Sequence, residues 1–190
     1  RLDHYLSAFE AAHGIAPGST KVHALVTETS AAMFTTGDYA GCNRLVAMSW
    51  GAEDLADSIG AATNRDDSGD YAFTYRLARS LCLLGASAAQ VLPIETIQGD
   101  FRDLDGLKRR AETVRREGFR GMLAIHPAQV PVINEAFSPS AEELAHAHAV
   151  IDAFAAAPDA GTLSLDGKMI DRPHLTQAER IVALAEILDR

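Results

Sequence analysis

The chain has 190 residues, of which 47% are hydrophobic, and it carries a formal net charge of −9 at pH 7. Its pI is about 5.2. So acidic a surface disfavours non-specific nucleic-acid binding, which depends on Lys and Arg against phosphates. Cys42 and Cys82 are too few for a disulfide framework. No apolar run reaches the roughly 18 to 20 residues of a membrane span. We therefore expect a cytoplasmic globular protein without a nucleic-acid or membrane partner.

Four short apolar runs predict β-strands, and residues with helical periodicity lie between them. The runs comprise residues 21–26, 45–48, 88–94 and 121–125. Strands that alternate with helices in this way pair in parallel, so the predicted fold class is α/β. Four strands make either a small open sheet or the second half of a (β/α)₈ barrel, which takes about 250 residues when complete.

Helices are predicted at residues 1–16, 75–84, 104–117, 141–157 and 176–188. The first has an apolar face formed by Leu2, Tyr5, Leu6, Phe9 and Ala12. Gly85 and Gly118 stand where helices are expected to stop. The helix at 141–157 is rich in alanine, which indicates a packing face, and a short polar-apolar segment at 162–165 follows it.

Two acidic residues follow consecutive predicted strands. Glu28 comes after the first strand, and Asp54 comes after the Gly51 turn that ends the second. Parallel strands direct their carboxyl ends at the ligand crevice, and Mg²⁺ takes oxygen ligands, often only one or two of them carboxylates. The pair therefore suggests a Mg²⁺ site. The structural alternative is that Glu28 caps a helix and Asp54 lies favourably near a helix N-terminus.

Several motifs in fixed order extend this interpretation. They are Gly51-Ala-Glu-Asp54 and its continuation to Gly60, Gly99–Leu107, Glu117-Gly-Phe-Arg-Gly121, Ala124-Ile-His-Pro127, Ile133–Ser140 and Leu165-Asp-Gly-Lys-Met-Ile-Asp171. Together they resemble the citrate lyase β-subunit-like (CitE-like) family of the HpcH/HpaI aldolase superfamily. The resemblance implies a (β/α)₈ TIM barrel, usually in a homotrimer or hexamer. It also implies Mg²⁺-dependent making or breaking of a carbon–carbon bond between a 2-oxo acid and an acyl-CoA.

The resemblance also assigns roles to individual residues. Glu28 and Asp54 match the family's two metal ligands, which also contact the substrate. The backbone amides of Ala52 and Glu53 would bind the carboxylate of the oxo acid. Asp171 matches an acid/base that acts in a neighbouring subunit's site. A substrate-binding arginine is expected on an early strand upstream of Arg1, which makes the visible strands the last four of eight.

The resemblance also implies a domain organisation. Residues 1–157 would form the C-terminal portion of the barrel, and residues 158–190 a C-terminal extension whose helices cap a neighbouring subunit at the oligomer interface. Proposed substrates are malyl-, citramalyl- or citryl-CoA. Two alternatives remain: a metal-dependent aldolase that acts on free 2-oxo acids without CoA, and a non-catalytic barrel subunit.

The sequence departs from the family pattern in three places. Serine and alanine at positions 30 to 32 stand where the family often has glycine. Met122 replaces a common lysine, and Glu95 stands where many relatives have aspartate. Because Glu95 follows the Gly-Ala-Glu-Asp turn, motif order favours Glu28 as the first metal ligand. For Glu95 we expect a structural hydrogen-bonding role rather than contact with substrate or water.

For three further groups of residues we expect a structural role rather than a functional one. His126 at a predicted strand end more often fixes a loop than lines a ligand entrance. The acidic run at 66–70 resembles a calcium loop but lacks the distal bidentate glutamate, so a solvated turn is expected. The basic cluster of Lys108, Arg109 and Arg110 with Arg115 and Arg116 is typical of a solvated helix face.

Overall fold

The computed structural model describes residues 1–188 and contains two compact units. The first comprises Arg1–Phe137, and the second begins at Ser138. The first unit contains α1 (Leu2–Ala12), β1 (Val22–Leu25), a 3₁₀ turn (Ala32–Phe34), β2 (Leu45–Ser49), α2 (Glu53–Ile59), α3 (Phe73–Ala88), β3 (Leu92–Glu95), α4 (Leu104–Glu117), β4 (Gly121–Met122) and α5 (Gln129–Phe137). The second contains α6 (Ala141–Ala156), β5 (Thr162–Leu165), β6 (Lys168–Asp171) and α7 (Arg172–Leu188).

The four strands of the first unit form one parallel sheet in the order β1-β2-β3-β4. The predicted α/β class and the presence of four strands are therefore confirmed, although β3 begins at Leu92 rather than at residue 88 and β4 ends at Met122 rather than at residue 125. Adjacent strands in the chain are adjacent in the sheet, which is the arrangement that successive βα units produce in a barrel. As a result, the carboxyl ends of β1 and β2 lie side by side.

The two faces of the sheet differ in their environment. Met48 and Trp50 belong to a core in which α3 and α4 provide Cys82, Ala86 and Val114. Side chains on the opposite face include those of two paired positions in the strand register, Leu25 with Ser49 and Ala47 with Leu92. There Leu25 and Leu92 are 42% and 52% exposed within the described residues. Burying each large apolar side chain contributes roughly 1.5 to 3 kcal/mol, so the helix-covered face stabilises the unit.

Helix α1 packs with its polar face inward. Arg44 donates to both carboxylate oxygens of Glu10, at 2.7 and 2.9 Å, and also contacts Asp3 and Ser7. Glu10 is buried, whereas Leu2, Tyr5 and Phe9 on the apolar face are 56% to 63% exposed. The Arg44 guanidinium holds the pKa of Glu10 well below its usual range, and Glu10 in turn raises the pKa of Arg44.

Gly85 lies inside α3 and does not end it, contrary to the prediction. A Cβ atom at Gly85 would lie 2.2 Å from the carbonyl oxygen of Thr36. The glycine therefore permits the helix to approach the β1–β2 connection closely. Gly118, in contrast, ends α4 in the left-handed conformation, with φ 116°, as expected.

The second unit differs from prediction in its hairpin. Strands β5 and β6 pair antiparallel around Asp166 and Gly167, whose φ angles are 50° and 74°. Two positive φ angles are the signature of a type I′ turn, which Asp-Gly favours. Helix α7 begins at Arg172 rather than at residue 176. Helix α6, which we assigned to the barrel portion, shares a core with α7 and the hairpin.

Candidate active site

A reciprocal hydrogen bond joins the loops that follow β1 and β2. The hydroxyl of Thr27 donates to the carbonyl oxygen of Gly51 at 3.0 Å, and the amide of Gly51 donates back to the same hydroxyl at 2.9 Å. Thr27 is completely buried. Further along, the amide of Ser30 donates to the hydroxyl of Ser58 in α2 at 2.9 Å. The β1 loop is thus bonded to the β2 turn and helix on both sides of Glu28. We call this bonded pair of loops the β1–β2 clasp.

Glu28 and Asp54 occupy the two sides of the clasp. Glu28 directly follows Thr27, and Asp54 lies in the first turn of α2. Both are exposed. Within residues 1–188, neither carboxylate has a hydrogen-bond or ion-pair partner, so Glu28 does not act as a helix cap there. Asp54 does stand near a helix N-terminus, which favours its negative charge.

The backbone amide of Ala52 is directed at an anion. It donates to Oε2 of Glu53 at 3.2 Å, while Asn64 donates to Oε1 of the same carboxylate at 3.4 Å. The Glu53 side chain is exposed, so this carboxylate can leave when a competing one arrives. The first amides of a helix lack partners inside the helix, which makes them available to a carboxylate ligand.

The donors around the clasp fit a Mg²⁺ ion. Two unpaired carboxylates are the hard oxygen ligands that Mg²⁺ prefers, and a Mg²⁺ site usually completes its octahedron with water and substrate. Within the described residues, His, Cys, Asp and Glu form no cluster of three or more that could hold a metal ion. A Mg²⁺ site built on Glu28 and Asp54 would therefore take its remaining ligands from water and substrate.

Glu95 is a buried structural hub. Its carboxylate accepts hydrogen bonds from the indole of Trp50 at 2.8 Å, Arg79 at 2.6 Å and Arg110 at 3.2 Å. Its relative exposure is 0%. The expected structural hydrogen-bonding role fits these contacts, which link β2, β3, α3 and α4. Burial, with a contribution from Glu95, raises the pKa of the Cys82 thiol to about 12, so this cysteine stays a neutral packing group.

An arginine-lined groove lies between α3 and α4. It encloses about 350 Å³, and its lining includes Arg76, Arg79, Arg109 and Arg110 together with the acidic residues Asp70 and Glu117. Arg79 and Arg110 are held by Glu95, and Lys108 is bonded to Glu135. The predicted solvated face is wrong for Arg110, because this side chain turns inward to a buried carboxylate.

Asp171 lies in the second unit, at the junction of β6 and α7. Oδ1 of Asp171 lies 2.5 Å from Nδ1 of His174. The hairpin turn, the sheet pairing of β6 and the start of α7 fix the backbone on both sides of this aspartate. Sequence reasoning missed His174, although an Asp followed three residues later by a polar side chain at a helix start is a recognisable signal.

The weaker candidates are structural. The Asp66 carboxylate accepts from the amides of Ser68 and Asp70 and from the Ser68 hydroxyl. The Ser68 hydroxyl lowers the pKa of Asp66, so the acidic run forms a local turn. His126 stacks on Phe101, with ring centroids 4.6 Å apart. Both observations agree with the structural roles expected for the acidic run and for His126.

Two family models match the chain. One, described as HpcH/HpaI aldolase/citrate lyase, matches residues 1–127. The other, described as C-C bond lyase of the TIM-barrel fold, matches residues 77–189. None of the helices in residues 1–188 is long and apolar enough to cross a membrane.

Named relatives agree with the family models. A citrate lyase subunit beta-like protein of Mycobacterium tuberculosis is 36% identical over 160 residues, covering 84% of this chain and 58% of its own length. The mitochondrial citramalyl-CoA lyase of Rattus norvegicus is 38% identical, covering 74% of this chain and 41% of its own length. The chain thus spans about half the length of these curated relatives.

A solved structure is also similar. The CitE protein of M. tuberculosis in complex with magnesium, acetoacetate and coenzyme A is 31% identical, with a TM-score of 0.73. The match covers 94% of this chain and 72% of that one. The four parallel βα units fit part of the TIM-barrel fold that the second family model describes. The chain belongs to the HpcH/HpaI aldolase/citrate lyase family, as the resemblance predicted.

Proposed function

We propose that this protein is a Mg²⁺-dependent carbon–carbon lyase. It cleaves, or in reverse forms, a 3-hydroxyacyl-CoA such as malyl-, citramalyl- or citryl-CoA, and the products are an acyl-CoA and a 2-oxo acid. The observation that carries the proposal is the pair of unpaired carboxylates, Glu28 and Asp54, on the two sides of the clasp. In support, a similar structure was solved with magnesium, acetoacetate and coenzyme A.

Glu28 and Asp54 hold the metal in this proposal. When bound, Mg²⁺ supplies Lewis-acid stabilisation of the negative charge that develops on the oxo-acid oxygen. The backbone amides of Ala52 and Glu53 bind the substrate carboxylate, which replaces the Glu53 side chain at the Ala52 amide. Because these amides belong to the same turn as Asp54, substrate and metal ligand are positioned by one short segment.

Asp171 is the proposed acid/base. It exchanges a proton with the α-carbon of the thioester, which becomes an enolate when the carbon–carbon bond breaks. In this proposal the protein is a homotrimer or hexamer, and residues 158–190 bring Asp171 to the site of a neighbouring subunit. The support is the resemblance of the Gly167–Asp171 segment and the partial exposure of the Asp171 side chain, which is 33% exposed.

A CoA-release assay tests the proposal. Purified full-length protein is incubated with malyl-, citramalyl- and citryl-CoA, with Mg²⁺ or with EDTA, and both the acyl-CoA and the 2-oxo acid are quantified. We expect Mg²⁺-dependent formation of both products in equal amounts. Cleavage of free hydroxy-oxo acids with no turnover of thioesters would instead identify a CoA-independent aldolase. No turnover of either class, together with no Mg²⁺ binding, would indicate a non-catalytic barrel subunit.

A further inference from the structure

Within residues 1–188, the carboxylate of Asp171 contacts a side chain, and no backbone amide, of the helix that it precedes. Helix α7 begins at Arg172, and an aspartate directly before a helix ordinarily accepts a hydrogen bond from the second or third helical amide. Because the second helical residue here is Pro173, which has no amide hydrogen, only the amide of His174 could serve in this way. Within residues 1–188, the Asp171 carboxylate has a single hydrogen-bonding partner, the imidazole of His174 at 2.5 Å. The backbone amide of Asp171 also lies 3.2 Å from the same ring nitrogen.

The short contact indicates a hydrogen bond between the imidazole and the carboxylate. A ring nitrogen and a carboxylate oxygen 2.5 Å apart, both with lone pairs directed at each other, repel unless a proton lies between them. In the tautomer protonated at Nδ1, that nitrogen donates to Oδ1, whereas in the other tautomer it accepts from the Asp171 amide. The shorter distance to Oδ1 favours the first tautomer. Oδ2 of Asp171 and Nε2 of His174 are the atoms without a partner in the described part of the chain.

The neighbouring arginine is engaged by other groups and not by the Asp171–His174 pair. Arg172, the neighbouring cation, donates to the carbonyl oxygen of Pro158 and lies over the ring of Phe154. The side chains of Asp171 and His174 are 33% and 49% exposed. The hydrogen bond thus fixes one carboxylate oxygen and leaves the other open to a substrate.

We propose that His174 is a positioning residue, which fixes Oδ1 of Asp171 by a hydrogen bond and leaves Oδ2 for proton transfer. This inference rests on the proposed function, in which Asp171 exchanges a proton with the thioester α-carbon. Proton transfer requires a fixed orientation of the base, and a displacement of about 1 Å can reduce a rate about 100-fold. One imidazole therefore sets the orientation of this carboxylate.

Two substitutions separate positioning from simple helix capping. In the same unit, Glu143 accepts from the backbone of Ser140 in a capping box. His174→Glu would re-create that arrangement at α7, because its carboxylate accepts from the Asp171 amide, but it would repel the Asp171 carboxylate. His174→Asn retains a donor close to the position of Nδ1. His148→Ala, an exposed histidine of α6, serves as the matched control.

We expect His174→Glu to lower kcat about 10- to 100-fold with KM nearly unchanged, and His174→Asn to stay within about threefold of the unsubstituted protein. Melting temperatures are measured alongside, since His174→Glu should keep the stability of α7. Full activity in His174→Glu, or equal loss in both variants, would overturn the inference.

A second measurement does not depend on turnover. Nitrogen-15 NMR of the imidazole should show Nδ1 protonated, and Asp171→Asn should change that signal. An unprotonated Nδ1 would refute the inference whatever the activity. If the unsubstituted protein turns over no thioester, the proposed function fails, and the NMR result alone decides whether His174 binds the Asp171 carboxylate.

Discussion

Glu28 and Asp54, like Asp57 and several other exposed acids of the first unit, have no hydrogen-bond or ion-pair partner among the described residues. Glu10 and Glu95 are bound by arginines, and Asp66 is bound by its own turn. Unpaired acids at adjacent loops repel one another, which a bound divalent cation would relieve. The metal hypothesis therefore rests on the position of these two side chains after adjacent strands, and not on their lack of partners alone.

Replacing Asp54 with asparagine should remove metal and activity together. The amide is a neutral and weaker ligand, so we expect Mg²⁺ affinity to fall by at least the roughly 10- to 100-fold that loss of an outer-shell partner costs. Calorimetric titration with Mg²⁺ and the CoA-release assay measure the two effects. Asp57→Asn, which changes an exposed carboxylate on the same helix, is the control. Normal Mg²⁺ binding in the Asp54 variant would exclude it as a ligand.

Replacing Asp171 with asparagine should separate chemistry from metal binding. The variant cannot exchange a proton, and general acid–base groups typically contribute about 10²- to 10⁴-fold in rate. We expect kcat to fall within that range while Mg²⁺ affinity stays unchanged. Steady-state kinetics and metal titration on the same preparation measure both quantities. Unchanged turnover would remove Asp171 from the mechanism.

At the scale of elements, the sheet followed from the sequence but the details of packing did not. Apolar runs bounded by polar residues predict strands, because buried parallel strands need continuous apolar side chains. Gly85 was misread as a helix stop, since its role depends on a carbonyl at Thr36 that is distant in sequence. The apolar face of α1 suggested burial, but Arg44 on a later segment binds the opposite face.

The candidate site was predictable to a similar degree. Glu28 and Asp54 were identified by their positions after two strands, and the family was identified from its motifs. The clasp through Thr27 was not, because a threonine in a strand end has no signature that distinguishes it from packing. The Asp-Gly turn at 166–167 was a usable signal for a hairpin, but no second strand was predicted to pair with residues 162–165.

Loss of the Glu95 charge should destabilise the first unit. Glu95→Gln leaves Arg79 and Arg110 without their shared buried counter-charge, and breaking a buried ion pair costs about 3 to 5 kcal/mol. Urea unfolding measures the free energy of unfolding. Glu117→Gln removes the exposed partner of the same Arg79 and should cost less than about 1 kcal/mol. Equal costs in the two variants would contradict the buried-hub assignment.

The α1 contact should make stability depend on acid pH. Because the pKa of Glu10 is lowered in the folded protein, its contribution to stability is complete above its ordinary pKa of about 4.3 and is lost as pH falls below that value. Unfolding experiments from pH 7 to pH 3 should show this decline. Glu10→Gln should be less stable at pH 7 and should show a shallower decline. Parallel curves for the two proteins would contradict the prediction.

At the scale of the whole molecule, the proposed mechanism needs more than one subunit. If Asp171 serves a neighbour's site, mixing inactive Asp54→Asn and Asp171→Asn subunits should restore activity, because some sites then receive both residues intact. The CoA-release assay after co-expression or subunit exchange measures the recovery. Each variant alone, treated identically, is the control. No recovery in assemblies shown to contain both variants would place the two residues in the same subunit's site.

The hydrogen bonds between Thr27 and Gly51 have a consequence for how such experiments are interpreted. The atoms that hold the two loops together differ from the atoms proposed to bind the metal. The buried hydroxyl of Thr27 and the peptide group of Gly51 set the spacing of the loops, and the exposed acids take no part in these hydrogen bonds. Either acid can therefore be replaced without removing the scaffold beneath it. A defect at Glu28 or Asp54 would report on reactivity, whereas a defect at Thr27 would report on architecture.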